Sequence, residues 1–309
     1  MGSDLSASVA ADDYRPRSVD MGPEQWIDVD GIRTRYFDQG HGRPVVFFLG
    51  GHYGGADAGT ARIWDLNFAA LSKYLNVIAV DRLGQGFTDN PLRDEDYTMH
   101  ASVQHAARFL RLLGKGPFNV VGHSRGGYLV TRLALENPDL VATATCVASG
   151  TLSPGFSRNH IVHAGMPMAP DRAMLRVSYE RYSYDTRMVT EQLLDEPEQV
   201  LNLEKFKIAY RKMQVEGLET RYFGQGLRVQ RAETHRWLVQ RGMPCPTLLT
   251  WGLNDPTADI RNGKLLIEMF MRKQPKTELR VFNRAGHYLY REQPASFSRL
   301  LHSFVDTYG

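Results

Sequence analysis

An α/β fold, built on a mostly parallel central sheet flanked by helices and interrupted by an inserted helical lid, is what the sequence predicts. Three observations carry this. Apolar runs recur along the chain: VVFFLGG from Val45, NVIAV from Asn76, FNVVG from Phe118, TATCVASG ending at Gly150 and PTLLTWG ending at Gly252. Strands buried on both faces of a parallel sheet read this way. Between these runs lie stretches with helical spacing, so strand and helix alternate. The alternation stops between about Pro154 and Gly242 and resumes at PTLLTWG.

The elements follow in order. The opening MGSDLSASVAADDYRPRS carries acids and no apolar segment, so residues 1–24 are expected to be a flexible leader without a secretory signal. WIDVDG and IRTRYFDQG alternate on either side of Asp30-Gly31, a hairpin signature that supplies two edge strands. MHASVQHAARFLRLLG has apolar residues at three- and four-residue spacing and a stop at Gly114, which predicts an amphipathic helix. The stretch 154–242 is rich in Arg, Glu, Tyr and Met and contains helical runs such as TEQLLDEPEQVLNLEKFKIAYRKM. Roughly 85 to 90 residues without a convincing buried strand are too many for a loop and suit a lid over a site. The expected division is a core of 25–153 and 243–309 with a lid of 154–242.

With 309 residues, 42% hydrophobic and 23% charged, the chain can fill one large core or a core plus a small satellite. Its net charge of +3 is mild and its basic residues are interspersed with acids, which argues against nucleic acid as a partner. Cys146 and Cys245 sit far apart in apolar stretches, as reduced core thiols of a cytoplasmic protein do. No stretch reaches the eighteen or so apolar residues of a membrane span, so no membrane partner is expected.

The chemistry is carried by Gly122-His123-Ser124-Arg125-Gly126, a G-x-S-x-G directly after an apolar strand and directly before the helical GYLVTRLALEN. A serine on so sharp a turn needs strained backbone angles, and small residues two before and two after keep the turn free of clashes. Serine attacks only once a base takes its proton, and an acid and a base follow in the required order. Asp255 in WGLNDP and His287 in AGHYLY each fall just past the carboxyl end of a late strand, the edge where catalytic groups meet in an open parallel sheet. Taken alone, Asp255 reads as a turn aspartate and His287 as a surface histidine; order and spacing together favour the triad. The backbone N–H groups of Arg125 and of Gly51 in LGGHYGG are the candidate oxyanion donors. That glycine-rich loop lacks the Gly-Lys-Ser/Thr ending of a phosphate cradle. His160 and His163 have helical spacing but no third ligand nearby, so no metal is expected.

Together these residues resemble the α/β-hydrolase superfamily from about Trp26 to Phe304, with DRLGQGFTD similar to that family's D-x-x-G-x-G-x-S/T turn. Within it, the glycine-rich loop followed by IWDLNFAAL, the stretch YDTRMVTEQL and the ending AGHYLYREQPASFSRLLHSFV look most like the meta-cleavage-product hydrolases. The resemblance implies C–C bond hydrolysis of a ring-opened aromatic catabolite, with Ser124, Asp255 and His287 promoting first ketonisation and then cleavage. It implies a pocket bordered by His52, Asn67, His123 and Tyr288 and no cofactor. Departures accompany it. That family carries asparagine before the serine, tryptophan after the histidine and a lid arginine on the substrate carboxylate, where this chain has His123, Tyr288 and, with YDTRMVTEQLL in register, Pro197. No proline replaces a bidentate arginine contact, and Arg187 and Arg125 are the candidates to do so.

The expected function is a serine hydrolase acting on a small, largely apolar carbonyl compound, by C–C cleavage or as a carboxylesterase, lactonase or thioesterase. A ligand-binding protein on the same fold is the non-catalytic alternative. The expected partner is the small-molecule substrate; oligomeric state stays open, a homo-oligomer included.

Overall fold

The computed structural model describes residues 17–155 and 170–309. Strands β1 (Gln25–Val29) and β2 (Ile32–Gln39) form the hairpin, turning at Asp30 and Gly31, both at positive φ (54° and 84°), as a two-residue turn matched to strand twist requires. Then come β3 (Pro44–Phe48), α1 (Asp65–Leu71), β4 (Asn76–Val80), α2 (Met99–Leu113), β5 (Phe118–His123), α3 (Arg125–Glu136) and β6 (Val141–Val147). After the insertion the chain continues as β7 (Thr247–Gly252), a helix over Ile260–Met271, β8 (Thr277–Phe282), a short helix over Leu289–Glu292 and a last helix over Pro294–Tyr308. The eight strands lie in the order β1-β2-β4-β3-β5-β6-β7-β8. The β1–β2 and β2–β4 pairs are antiparallel and all others parallel. This is an α/β-hydrolase sheet.

The two-residue period of the strands divides the core. Val46, Phe48, Ile78, Val80 and Val120 join α2 and α3 on one face, while Val45, Phe47, Val77, Ala79 and Val121 join α1 and the last helix on the other. Helix α2 starts where the Thr98 hydroxyl accepts from Ala101 N and stops at Gly114, in the left-handed region at φ 63°. Cys146 and Cys245 are buried free thiols.

Residues 17–24, expected to belong to a flexible leader, are described. Val19 N donates to Asp65 Oδ2 at 3.0 Å and Met21 is buried in the α1 face of the core, so the chain is anchored before residue 24. A lone methionine in a polar stretch has no period to read.

Between β6 and β7 the regular elements among the described residues are helical: α4 (Arg172–Tyr182), a 3-10 turn (Thr186–Met188), α5 (Glu191–Asn202), α6 (Glu204–Tyr210), two π-helical turns (Arg211–Val215 and Glu219–Gly224) and α7 (Gln225–Arg241). Glu196 fastens α5 to the core: its carboxylate accepts from Arg35 Nη1 at 2.8 Å, Arg62 Nε at 3.0 Å and Thr60 Oγ1 at 2.5 Å, while Arg35 Nε reaches Asp81 at 2.7 Å. Burial pushes the Glu196 carboxyl up, but Arg35, Thr60 and Arg62 together outweigh it and the net shift is downward. No helix among the described residues is long and apolar enough to cross a membrane.

His105 of α2 is buried with its Nε2 3.0 Å from Thr34 Oγ1, and burial, then Arg108, lowers its pKa to about 4. Below pH 6.5 the unfolded chain takes a proton that the native ring refuses, so stability falls on acidification through 6.5 toward 4. Between pH 7 and 5 this site is expected to cost about 2 kcal/mol. Urea unfolding of wild type and His105→Asn at the two pH values checks this: the variant should show the smaller acid loss, and equal losses would exclude the assignment.

Candidate active site

Ser124 sits at φ 54°, ψ −117° between β5 and α3. The flanking glycines are dictated by contact: a Cβ at Gly122 would lie 2.0 Å from Gly126 O, and one at Gly126 would lie 2.5 Å from Phe48 O. Ser149 Oγ donates to Ser124 O at 2.7 Å, and Ser124 N to Val147 O at 2.8 Å, which fixes the turn from β6. Arg125 opens α3, so its backbone N–H has no intrahelical acceptor.

The acid and base loops are packed backbone on backbone. A Cβ at Gly252 would meet Gly286 O at 2.2 Å, and Asn254 N donates to Ala285 O at 3.0 Å. His287 Nδ1 then lies 2.7 Å from Asp255 Oδ2. The other carboxylate oxygen, Oδ1, accepts from Thr257 N at 2.8 Å, Thr257 Oγ1 at 2.9 Å and Ala258 N at 2.8 Å. With Oδ1 so committed, Oδ2 is left for the imidazole, which places the ring proton on Nδ1 and leaves the Nε2 lone pair as acceptor.

The histidine loop is also tied to the helices inserted between β6 and β7. His287 N donates to Tyr182 O at 2.9 Å, and Glu292 accepts from Gly286 N at 3.0 Å, Asp185 N at 3.1 Å and Tyr184 N at 3.2 Å. Burial, opposed by these backbone donors, pushes the Glu292 carboxyl up to about 7. His123, buried beside Ser124, donates from Nε2 to His287 O at 3.1 Å. Burial and then His287 hold its pKa well below 6.5, so it stays neutral and braces the loop.

Ser124, His287, Gly51 and Arg125 border one cavity of about 240 Å³. Of the four expected pocket residues, His52, His123 and Tyr288 line it. Asn67 does not: its Nδ2 donates to Tyr290 O and Ser298 Oγ, both at 3.1 Å, and joins α1 to the last helix. Helix α1 turns that side chain toward the last helix. Pro197 is likewise away from Ser124, beside a second cavity of about 330 Å³ with Thr60, Glu196 and Tyr179. Arg187 is hydrogen-bonded to Asp185 and is not part of the Ser124 cavity wall. His160 and His163 lie outside the described residues; among the described ones no group of three or more His, Cys, Asp or Glu is placed to hold a metal ion.

The wall is also more polar than a largely apolar substrate implies, since Asp57, Arg125, Arg231 and His52 line it with Ser178, Thr151 and Thr257. Sequence reasoning missed several of these. Thr257 had a local signal, a hydroxyl residue two after an aspartate, whereas Arg231 had none because α7 shows no apolar stripe from which its faces can be told. Arg82, in DRLGQG, was also missed as an individual residue: its Nη2 donates to Gly50 O at 3.0 Å and Gly51 O at 2.7 Å, and its Nε to Gln85 at 2.8 Å. It thereby fixes the peptide planes of the loop that carries the Gly51 N–H. Burial lowers its pKa to about 10, still protonated near neutrality.

Comparison with known proteins gives the family. The sequence profile described as alpha/beta hydrolase fold matches residues 44–294. The 2-hydroxymuconate semialdehyde hydrolase of Pseudomonas sp. strain CF600 is 27% identical over 282 residues, covering 89% of this chain and 91% of that one. The 2-hydroxy-6-oxo-2,4-heptadienoate hydrolase of Pseudomonas putida is 27% identical over 283 residues, covering 89% and 93%. Among solved structures, a meta-cleavage product hydrolase from Pseudomonas fluorescens IP01 superposes with a TM-score of 0.74 at 25% identity, covering 92% of this chain and 97% of that one. The chain belongs to the α/β-hydrolase fold family, and within it resembles the meta-cleavage product hydrolases.

Proposed function

We propose that the protein is a serine hydrolase that cleaves a C–C bond next to a ketone in a ring-opened aromatic catabolite. The observation that carries the reading is the 2.7 Å Asp255–His287 pair, whose imidazole lines the same cavity as Ser124, itself held at positive φ on the strand-to-helix turn. In this mechanism His287 Nε2 takes the Ser124 proton as the oxygen attacks the carbonyl carbon, and Asp255 stabilises the imidazolium. The N–H groups of Gly51 and Arg125 receive the oxyanion, each worth roughly 3 to 4 kcal/mol in such sites. Collapse expels the carbon fragment, protonated by His287, and water then releases the acyl group by the same route in reverse. For a dienol substrate, ketonisation precedes attack, because only the keto form offers a carbon leaving group that is stabilised as an enol.

The named relatives favour the C–C reading over the ester one. The replacement of the family's asparagine and tryptophan by His123 and Tyr288, and the distance of Pro197 from the cavity, favour an ester, lactone or thioester. The test is a side-by-side assay on a ring-opened dienoate, followed by loss of its visible colour, and on a short acyl nitrophenyl ester. Dienoate turnover well above ester turnover is expected; ester turnover alone would move the protein to the esterase reading.

A further inference from the structure

We infer that Arg82 lends its positive charge to the transition state from behind the oxyanion loop, acting through the Gly50–Gly51 peptide as a positioning residue for the Gly51 N–H. This rests on the serine-hydrolase reading and adds to that site a residue that lies outside the cavity wall.

Two side chains of the DRLGQG turn hold three successive carbonyls of the loop after β3. Arg82 Nη2 donates to those of Gly50 at 3.0 Å and Gly51 at 2.7 Å, and Gln85 Nε2 donates to that of His52 at 3.3 Å. Arg82 Nε in turn donates to Gln85 Oε1 at 2.8 Å, which joins the two side chains. In a trans peptide the C=O and the following N–H point in opposite directions. A guanidinium on the Gly50 oxygen therefore sets the direction of the Gly51 N–H. A charge at the oxygen end also polarises the peptide, so that its N–H becomes a stronger donor.

Holding the loop does not by itself account for a charge at this place. Arg82 is only 4% exposed, and among the described residues no carboxylate stands within ion-pair distance of it. Its remaining contact is Met99 Sδ, 3.9 Å from Nη1. The acid beside it in sequence, Asp81, is committed to Arg35 Nε at 2.7 Å. Asp57 attracts the guanidinium, but less than Arg125 repels it. A buried charge without a partner costs stability, and a carbonyl can be held by a neutral donor, as Gln85 holds that of His52. What a neutral donor does not supply is a field, which carries farther in a low-dielectric interior than in water. That field reaches His123, next to Ser124, where Arg82 adds to burial and to His287 in disfavouring a second ring proton. The same field favours negative charge on the carbonyl oxygen as Ser124 adds to the carbon.

The test compares wild type with Arg82→Lys, which keeps the charge, and Arg82→Gln, which keeps a neutral donor. Inhibition constants are measured for phenylboronic acid, which captures Ser124 as a tetrahedral anion, and for benzamide, a neutral planar compound of similar size. Both are set beside kcat and KM on the ester or dienoate that wild type turns over. Arg82→Gln should lower kcat about tenfold with KM little changed, as for an interaction made only in the transition state, and less than the roughly 10²- to 10³-fold cost of deleting an oxyanion donor. Its boronate affinity should fall by the same factor while its benzamide affinity holds. Arg82→Lys should keep most of the wild-type kcat and of the boronate-to-benzamide ratio. Equal losses in the two variants, boronate and benzamide affinities falling together, or a glutamine variant with wild-type kcat overturns the proposal. If the glutamine variant does not fold, the lysine variant decides: a ratio within about threefold of wild type supports the proposal and a larger loss overturns it. Ser124→Ala separates this from the serine-hydrolase reading. Boronate affinity that drops there to the benzamide level upholds that reading whatever Arg82 does, and boronate affinity that survives the substitution sinks it.

Discussion

Ser124→Ala is expected to lower kcat by about 10⁶-fold on every substrate the protein turns over, with the fold intact. The backbone is already in the left-handed region at φ 54° with a side chain present, and alanine asks for no more strain than serine does. What is lost is the oxygen that forms the bond to the carbonyl carbon. His287→Ala should cost nearly as much, and the double variant little more than either single one, because the two side chains act as a unit. Kinetics with a fluorophosphonate labelling check settle it. A Ser124→Ala protein that kept wild-type rates would exclude the nucleophile assignment, and additive losses in the double variant would exclude a shared step.

Asp255→Asn should lower kcat by roughly 10⁴-fold, and the structure supplies the reason. Oδ1 accepts three donors, Thr257 N, Thr257 Oγ1 and Ala258 N, so an asparagine must keep its carbonyl oxygen there and turn its NH₂ toward His287. Two donors cannot face each other, so the imidazole adopts the tautomer with its proton on Nε2 and has no lone pair left for Ser124. Because the three donors remain satisfied, the loop should stay in place. The variant should therefore melt near the wild type while losing activity, measured as kcat beside a thermal scan. A variant that unfolds instead would reassign Asp255 to a structural role, and one that keeps its rate would remove it from the proton relay.

The sheet was legible because its signal is local. Val45–Phe48, Asn76–Val80 and Phe118–His123 are apolar on both faces wherever a parallel strand is buried on both faces, and no other element of that length reads so. Ser124 was legible for a related reason: the strand, the glycines and the helix that constrain it occupy adjacent residues. Asp255 and His287 were placed by where their strands end, and the hydrogen bonding between their loops follows from Gly252 and Gly286, positions that admit no side chain between them.

The inserted helical segment was another matter. Its position in the chain and helical character could be read, but not which side chains face Ser124. Pro197 was aligned to a family position in the pocket and lies at another cavity; Asn67 was taken as pocket-lining and instead joins α1 to the last helix. Arg231 gave no sign of itself.

The sequence alone thus determined the α/β class, the hairpin edge and the chain order of Ser124, Asp255 and His287 on the turns after their strands, since each depends on periodicity or on neighbours within a few residues. Only the tertiary structure decided the charge of the cavity: the commitment of Asp255 Oδ1, the hold of Arg82 on the Gly50–Gly51 carbonyls, and the placing of Arg125 and Arg231 in its wall. Those depend on how separate elements dock, and docking direction is a property of side-chain packing across the fold that no local pattern encodes.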